Sequence, residues 1–99
     1  MAAPVAAQAA YAQLAIIDLG TLGGYRSESI AINERGQVVG VSLIDEENEH
    51  AFLWKKGTMT DLGILASDYS SGEAINSRGQ VMGTSATDSG EPHAVLWTR

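Results

Sequence analysis

Ala31-Ile32-Asn33-Glu34-Arg35-Gly36-Gln37-Val38-Val39-Gly40 returns 43 residues later as Ala74-Ile75-Asn76-Ser77-Arg78-Gly79-Gln80-Val81-Met82-Gly83. The same offset extends outward without a gap. Asp18-Leu19-Gly20 recurs as Asp61-Leu62-Gly63, His50-Ala51 as His93-Ala94, and Leu53-Trp54 as Leu96-Trp97. A fixed period of this size marks a propeller, solenoid or array, in which each unit completes its core against a neighbour.

Within each unit, short β-type runs alternate with turn residues. The first unit reads as strands at Ser29 to Asn33, Gln37 to Leu43, His50 to Trp54 and Thr58 to Leu62. Asn33-Glu34-Arg35-Gly36 is a tight turn, with Asn at its start and Gly where a positive φ is needed. Lys55-Lys56-Gly57 is another, and Asp45 to Glu49 is a charged loop. The second unit repeats the strands at Gly72 to Asn76, Gln80 to Ala86 and His93 to Trp97. Four short antiparallel strands per unit is the content of a propeller blade, whereas a β-helix prefers shorter, more uniform coils.

Both faces of these strands are apolar. Phe52 and Trp54 alternate with Ala51 and Leu53, and Val38 and Gly40 with Val39 and Val41. A sheet sandwiched between neighbours requires that pattern. Gly40 and Gly83 stand mid-strand at equivalent places, which predicts close approach of other backbone, expected near a propeller axis. Gly36 and Gly79 are the matching turn glycines.

The expected fold is all-β, made of tandem four-stranded antiparallel blades in a β-propeller-like arrangement. Residues 1–13 form an Ala-rich leader; residues 14–99 form a two-repeat β domain with units 18–60 and 61–99. Leu14 to Leu19 aligns with the fourth strand, Ile16-Ile17-Asp18-Leu19 matching Met59-Thr60-Asp61-Leu62. The strands therefore amount to two blades cut out of phase. Two outcomes follow: the N-terminal strand of one subunit completes its neighbour's last blade, with three copies making six blades, or the chain belongs to a longer repeat array.

Twelve acidic residues against six basic ones give a net charge of −6. That balance argues against nucleic acid and anionic membrane surfaces as partners. No stretch has the length of a membrane span. Without cysteine there is neither a disulfide framework nor a thiolate metal site. The leader MAAPVAAQAAYAQ carries Ala-x-Ala triplets of the kind found before a signal-peptidase cut, but not the basic and long apolar regions of a whole signal. It reads as the remnant of an export signal or as a plain Ala-rich leader.

The segment DLGTLGGYRSESIAINERGQVVGVS…HAFLW, Asp18 to Trp54, closely resembles the repeat of the HAF family of extracellular bacterial repeats, named for the His-Ala-Phe found here at His50-Ala51-Phe52. The resemblance runs from about Ile16 to the end of the chain. The second copy departs from it, with Ala66-Ser67 in place of Gly23-Gly24 and Val95 in place of Phe52. The resemblance implies an exported, extracellular or periplasmic protein with a β-rich repeat fold. It brings no catalytic residue, and it favours the longer array, since members usually carry more than two copies.

Candidate sites follow from residue type and place. His50 and His93 occupy equivalent positions, as a structural constraint would and a single catalytic site would not. Asp18 and Asp61 read as turn and cap residues that bond nearby backbone N–H groups. Asp45-Glu46-Glu47-Asn48-Glu49 lacks the spacing of a Ca²⁺ loop and reads as solvated. The binding candidates are Tyr25 and Tyr69, in the loops before the first strand of each unit, and Trp54 and Trp97, whose default role is packing. No nucleophile elbow, phosphate loop or dinucleotide fingerprint is present. The expectation is a non-catalytic exported binding or assembly module without metal or cofactor, its partner a protein, a glycan or a second copy. The alternative is a small lectin-like oligomer binding glycans between blades.

Overall fold

Several strands stop where the sequence places a residue able to reverse the chain. The computed structural model describes residues 14–66 and 68–98 and shows seven strands: β1 (Ser27–Ile32), β2 (Val38–Leu43), β3 (Glu49–Lys55), β4 (Thr58–Gly63), β5 (Ser70–Ile75), β6 (Val81–Ala86) and β7 (Pro92–Trp97). They form two antiparallel sheets, in the orders β1-β2-β3-β4 and β5-β6-β7. No helix occurs among the described residues. The all-β expectation holds, as two antiparallel sheets of four and three strands; the sheets do not close into a ring. The leader lies outside the described residues.

The β1–β2 turn shows why Asn and Gly recur. Asn33 Oδ1 accepts the backbone N–H groups of Arg35 and Gln37, each at 3.0 Å, while the Gly36 N–H closes the turn onto the Asn33 carbonyl. Gly36 adopts φ 77°, in the left-handed region that a Cβ disfavours. Asn76, Arg78, Gly79 and Gln80 repeat this arrangement, with Gly79 at φ 82°. Between β3 and β4, Lys55 pairs with Thr58 and both intervening residues have positive φ: Lys56 at 49° and Gly57 at 86°. This is the primed hairpin turn whose twist matches that of the strands.

Gly40 and Gly83 do mark a close backbone approach, but its source is different from the one expected. A Cβ on Gly40 would collide with the Glu28 carbonyl oxygen, and one on Gly83 with that of Ser71. The approaching chain is the paired neighbour strand at a bulge, between Ser29 and Ala31 in β1 and between Gly72 and Ala74 in β5. The bulge inserts an extra residue and presses the neighbour inward, so the glycines serve the ladder rather than a ring axis.

The sheets meet through Val39 and Leu53 on one side and Val81 on the other, with Ala31, Leu62, Ile75 and Trp97 packed around them. Sheet pairing fixes these faces: Val39 stands opposite Leu53, and Val81 opposite Trp97. Phe52 is also fully buried. Polar groups carried into the core are satisfied. Ser70 Oγ donates to the Gly63 carbonyl at 2.7 Å and accepts the Ala51 N–H at 2.8 Å, tying the second sheet to β3. Ser42 and Ser85 accept the N–H groups of Leu22 and Leu65.

Leu14 to Leu19, aligned in sequence with a fourth strand, has no ladder partner among the described residues. Ile16 is 99% and Ile17 69% exposed. The end of the segment is nonetheless built like β4. Asp18 Oδ1 accepts the Gly20 N–H at 2.9 Å as Asp61 Oδ1 accepts that of Gly63 at 2.7 Å, and the two glycines have φ 87° and 82°.

Candidate functional site

Three turns, two from the first unit and one from the second, bring together basic residues that are dispersed in sequence. The β1–β2 turn supplies Arg35 and the equivalent β5–β6 turn supplies Arg78, while the β3–β4 hairpin brings Lys55 and Lys56 to the same end of the fold. These four side chains line one cleft of about 330 Å³, together with Gln37 and Gly79. They are four of the six basic residues in a chain of net charge −6. Sequence spacing hides this convergence, because Arg35 and Arg78 meet only when one repeat packs on the other.

The cleft walls are held across the unit boundary. Asn33 Nδ2 donates to the Asn76 carbonyl at 2.9 Å and to Gln37 Oε1 at 2.7 Å. The Arg35 guanidinium donates to the Ser77 carbonyl at 3.3 Å, which fixes its head over the gap. None of the four cations has a carboxylate partner among the described residues; the one Lys or Arg ion pair there joins Arg26 to Glu49 at 3.6 Å. Gathered like charges repel, so the cleft is electrostatically prepared for an anion. Lys56 reaches it from a left-handed backbone conformation that Asn or Gly adopts more readily. A shallower cleft of about 170 Å³ at Arg78, Gly79, Gln80 and Thr98 repeats half of the arrangement, with Thr98 where the first unit has Lys55.

The aromatic candidates are not brought together. Tyr25 is 77% exposed on its loop, whereas Tyr69 is half-buried, bridged to Glu49 and accepting the Ala86 N–H on its carbonyl. Trp97 packs against the inter-sheet core, and Trp54 is half-buried opposite Val38 and Met59.

His50 Nδ1 stands 3.0 and 2.9 Å from the two Asp61 oxygens, an N–H donor clamping β3 to β4. His93 makes no corresponding bond among the described residues. The acidic loop turns inward on itself. Asp45 Oδ1 accepts the N–H groups of Glu47 and Asn48, both at 2.9 Å; the bonds from the Asn48 side chain first, and these backbone bonds with them, hold the Asp45 carboxyl below its usual value. No cluster of three or more metal-ligating side chains occurs among the described residues.

No family model matches the chain, and no curated protein or solved structure matches it.

Proposed function

We propose that this chain is a non-catalytic, exported β-repeat module that binds a small anionic group in the cleft between its two units. The observation that carries this reading is the gathering of Arg35, Lys55, Lys56 and Arg78 on one cleft in an acidic chain. The rest of the chain holds twelve acidic residues and two basic ones, so a long polyanion would be repelled beyond the cleft. A carboxylate, sulfate or phosphate on a small ligand or a single sugar unit suits it better than a nucleic acid. The lectin-like alternative survives in that narrower form, with the cleft rather than the four aromatic residues as its centre. Export, to the periplasm or outside the cell, rests on the HAF resemblance and the Ala-x-Ala leader.

Calorimetric titration at low salt with sulfate, an oligogalacturonate and a neutral galacto-oligosaccharide tests the reading. Binding of the acidic ligands alone, abolished in Arg35→Ala/Arg78→Ala with the sheet signal intact, supports it. Binding unchanged in that variant, or no binding of either anion, refutes it.

A second reading, assembly, is favoured by a separate observation. Met82 and Leu96, counterparts of the buried Val39 and Leu53, are 58% and 60% exposed on the outer face of the second sheet. That face repeats the one the first sheet buries inside the chain. In this reading the units stack on as propeller blades, through copies of the chain or further repeats.

A further inference from the structure

We infer that Leu14–Gly20 of a second copy adds to the outer edge of β7 as the fourth strand of the β5-β6-β7 sheet. This rests on the assembly reading and names its interface. The β7 edge has no neighbour among the described residues, and an unpaired edge is a template for strand addition. The complementary strand is carried on the same chain, solvent-exposed and not yet paired.

The 43-residue repeat supplies the register. Within the first sheet, Trp54 stands opposite Met59, Leu53 opposite Thr60 and Phe52 opposite Asp61. Transposed by one repeat, Trp97 faces Ile16, Leu96 faces Ile17 and Val95 faces Asp18. Every group left incomplete at this edge then finds its counterpart. Ile16 falls on the Trp97 side of the sheet, where a cleft of about 260 Å³ lies between the sheets, lined by Leu53, Thr60, Leu62, Val81 and Trp97. Ile17 falls on the other side, beside the exposed Leu96 and Met82. Asp18 reaches His93, restoring the clamp that Asp61 makes with His50.

Two further contacts that join the units transpose in the same way. The Ala51 N–H donates to Ser70 Oγ, so the Ala94 N–H is placed for Ser27 Oγ of the second copy. Ser27 is already oriented for this, donating to the Gly20 carbonyl at 2.7 Å as Ser70 does to Gly63. Asn33 Nδ2 reaches the Asn76 carbonyl, so Asn76 Nδ2 is placed for Asn33 of the second copy. The contact is head-to-tail, since edge and strand are different surfaces, and it closes into a ring when the rotation between units permits.

The chain contains no cysteine, so single thiols report the register directly. Full-length Ile17→Cys and Leu96→Cys variants are mixed, oxidised and digested, and solution mass is measured by light scattering in parallel for the parent and for Ile16→Asp. The expected result is a 17–96 disulfide between chains, a discrete multimer for the parent and a single-chain mass for Ile16→Asp. Ile16 is solvent-exposed in the isolated chain, so an unchanged sheet signal in Ile16→Asp shows that folding is not the cause. A multimer that persists in Ile16→Asp and gives no 17–96 link overturns the strand addition but leaves assembly standing. A monomeric parent at all concentrations overturns the strand addition and, with it, assembly through copies of the chain.

Discussion

Lys56→Asn is expected to make the protein more stable and a weaker anion binder. Lys56 occupies the first central position of the β3–β4 hairpin at φ 49°, with Gly57 following at φ 86°. A left-handed conformation costs an ordinary L-residue about 1–2 kcal/mol, and Asn-Gly is the pair that such a turn prefers. Asn keeps a Cβ, so the unfolded chain does not gain the freedom that Gly would bring. The net gain should be about 1 kcal/mol, which for a domain of this size raises Tm by roughly 4–8 °C. The same change removes one of the four cations from the cleft. An exposed charge contributes up to about 1 kcal/mol, so anion affinity should fall by roughly two- to fivefold at low salt and less at high salt. Thermal unfolding by circular dichroism, at fixed protein concentration, measures the first effect and calorimetric titration with sulfate the second. A Tm that stays constant or drops would refute the claim that the turn is strained at Lys56. Unchanged anion affinity would remove Lys56 from the site.

Gly40→Ala should destabilise the first sheet by more than about 3 kcal/mol, because the new Cβ meets the Glu28 carbonyl rather than a side chain that can move; urea unfolding measures it. Asn33→Ala should cost about 1 kcal/mol more than Asn76→Ala in the isolated chain, since only Asn33 also bonds across the unit boundary. That difference should vanish if copies assemble as inferred, which unfolding at low and high protein concentration separates. The Asp45 carboxyl is depressed by the amides that it accepts, so its support of the Asp45–Asn48 loop is complete above the ordinary carboxylate value. The support is lost as pH falls through the lowered one. Glu47 and Asn48 amide shifts followed by NMR should report that loss, and Asp45→Asn should abolish the titration.

The 43-residue repeat determined that the chain is all-β, because strand content and turns follow from local chemistry. Asn33 and Gly36 fix a turn through their own side chain and φ, and alternation along β3 predicts that both of its faces are buried. Those interactions span a few residues and are legible without knowing where the next unit lies. The reason for Gly40 was half legible: the sequence demanded close backbone, but only the structure identified a bulge in the neighbouring strand as its source. The cationic cleft was not legible. Arg35 and Arg78 are 43 residues apart, and what joins them is one sheet packing on another through Val39, Leu53 and Val81. Net charge, a sum over the chain, argued against nucleic acid and anionic membrane surfaces, whereas a binding site depends on charge within about a Debye length, and packing decides that distance. The inferred register at β7 needs both sources. The repeat states which residue should face Trp97, and the tertiary structure alone leaves the edge open and Ile16 in solvent.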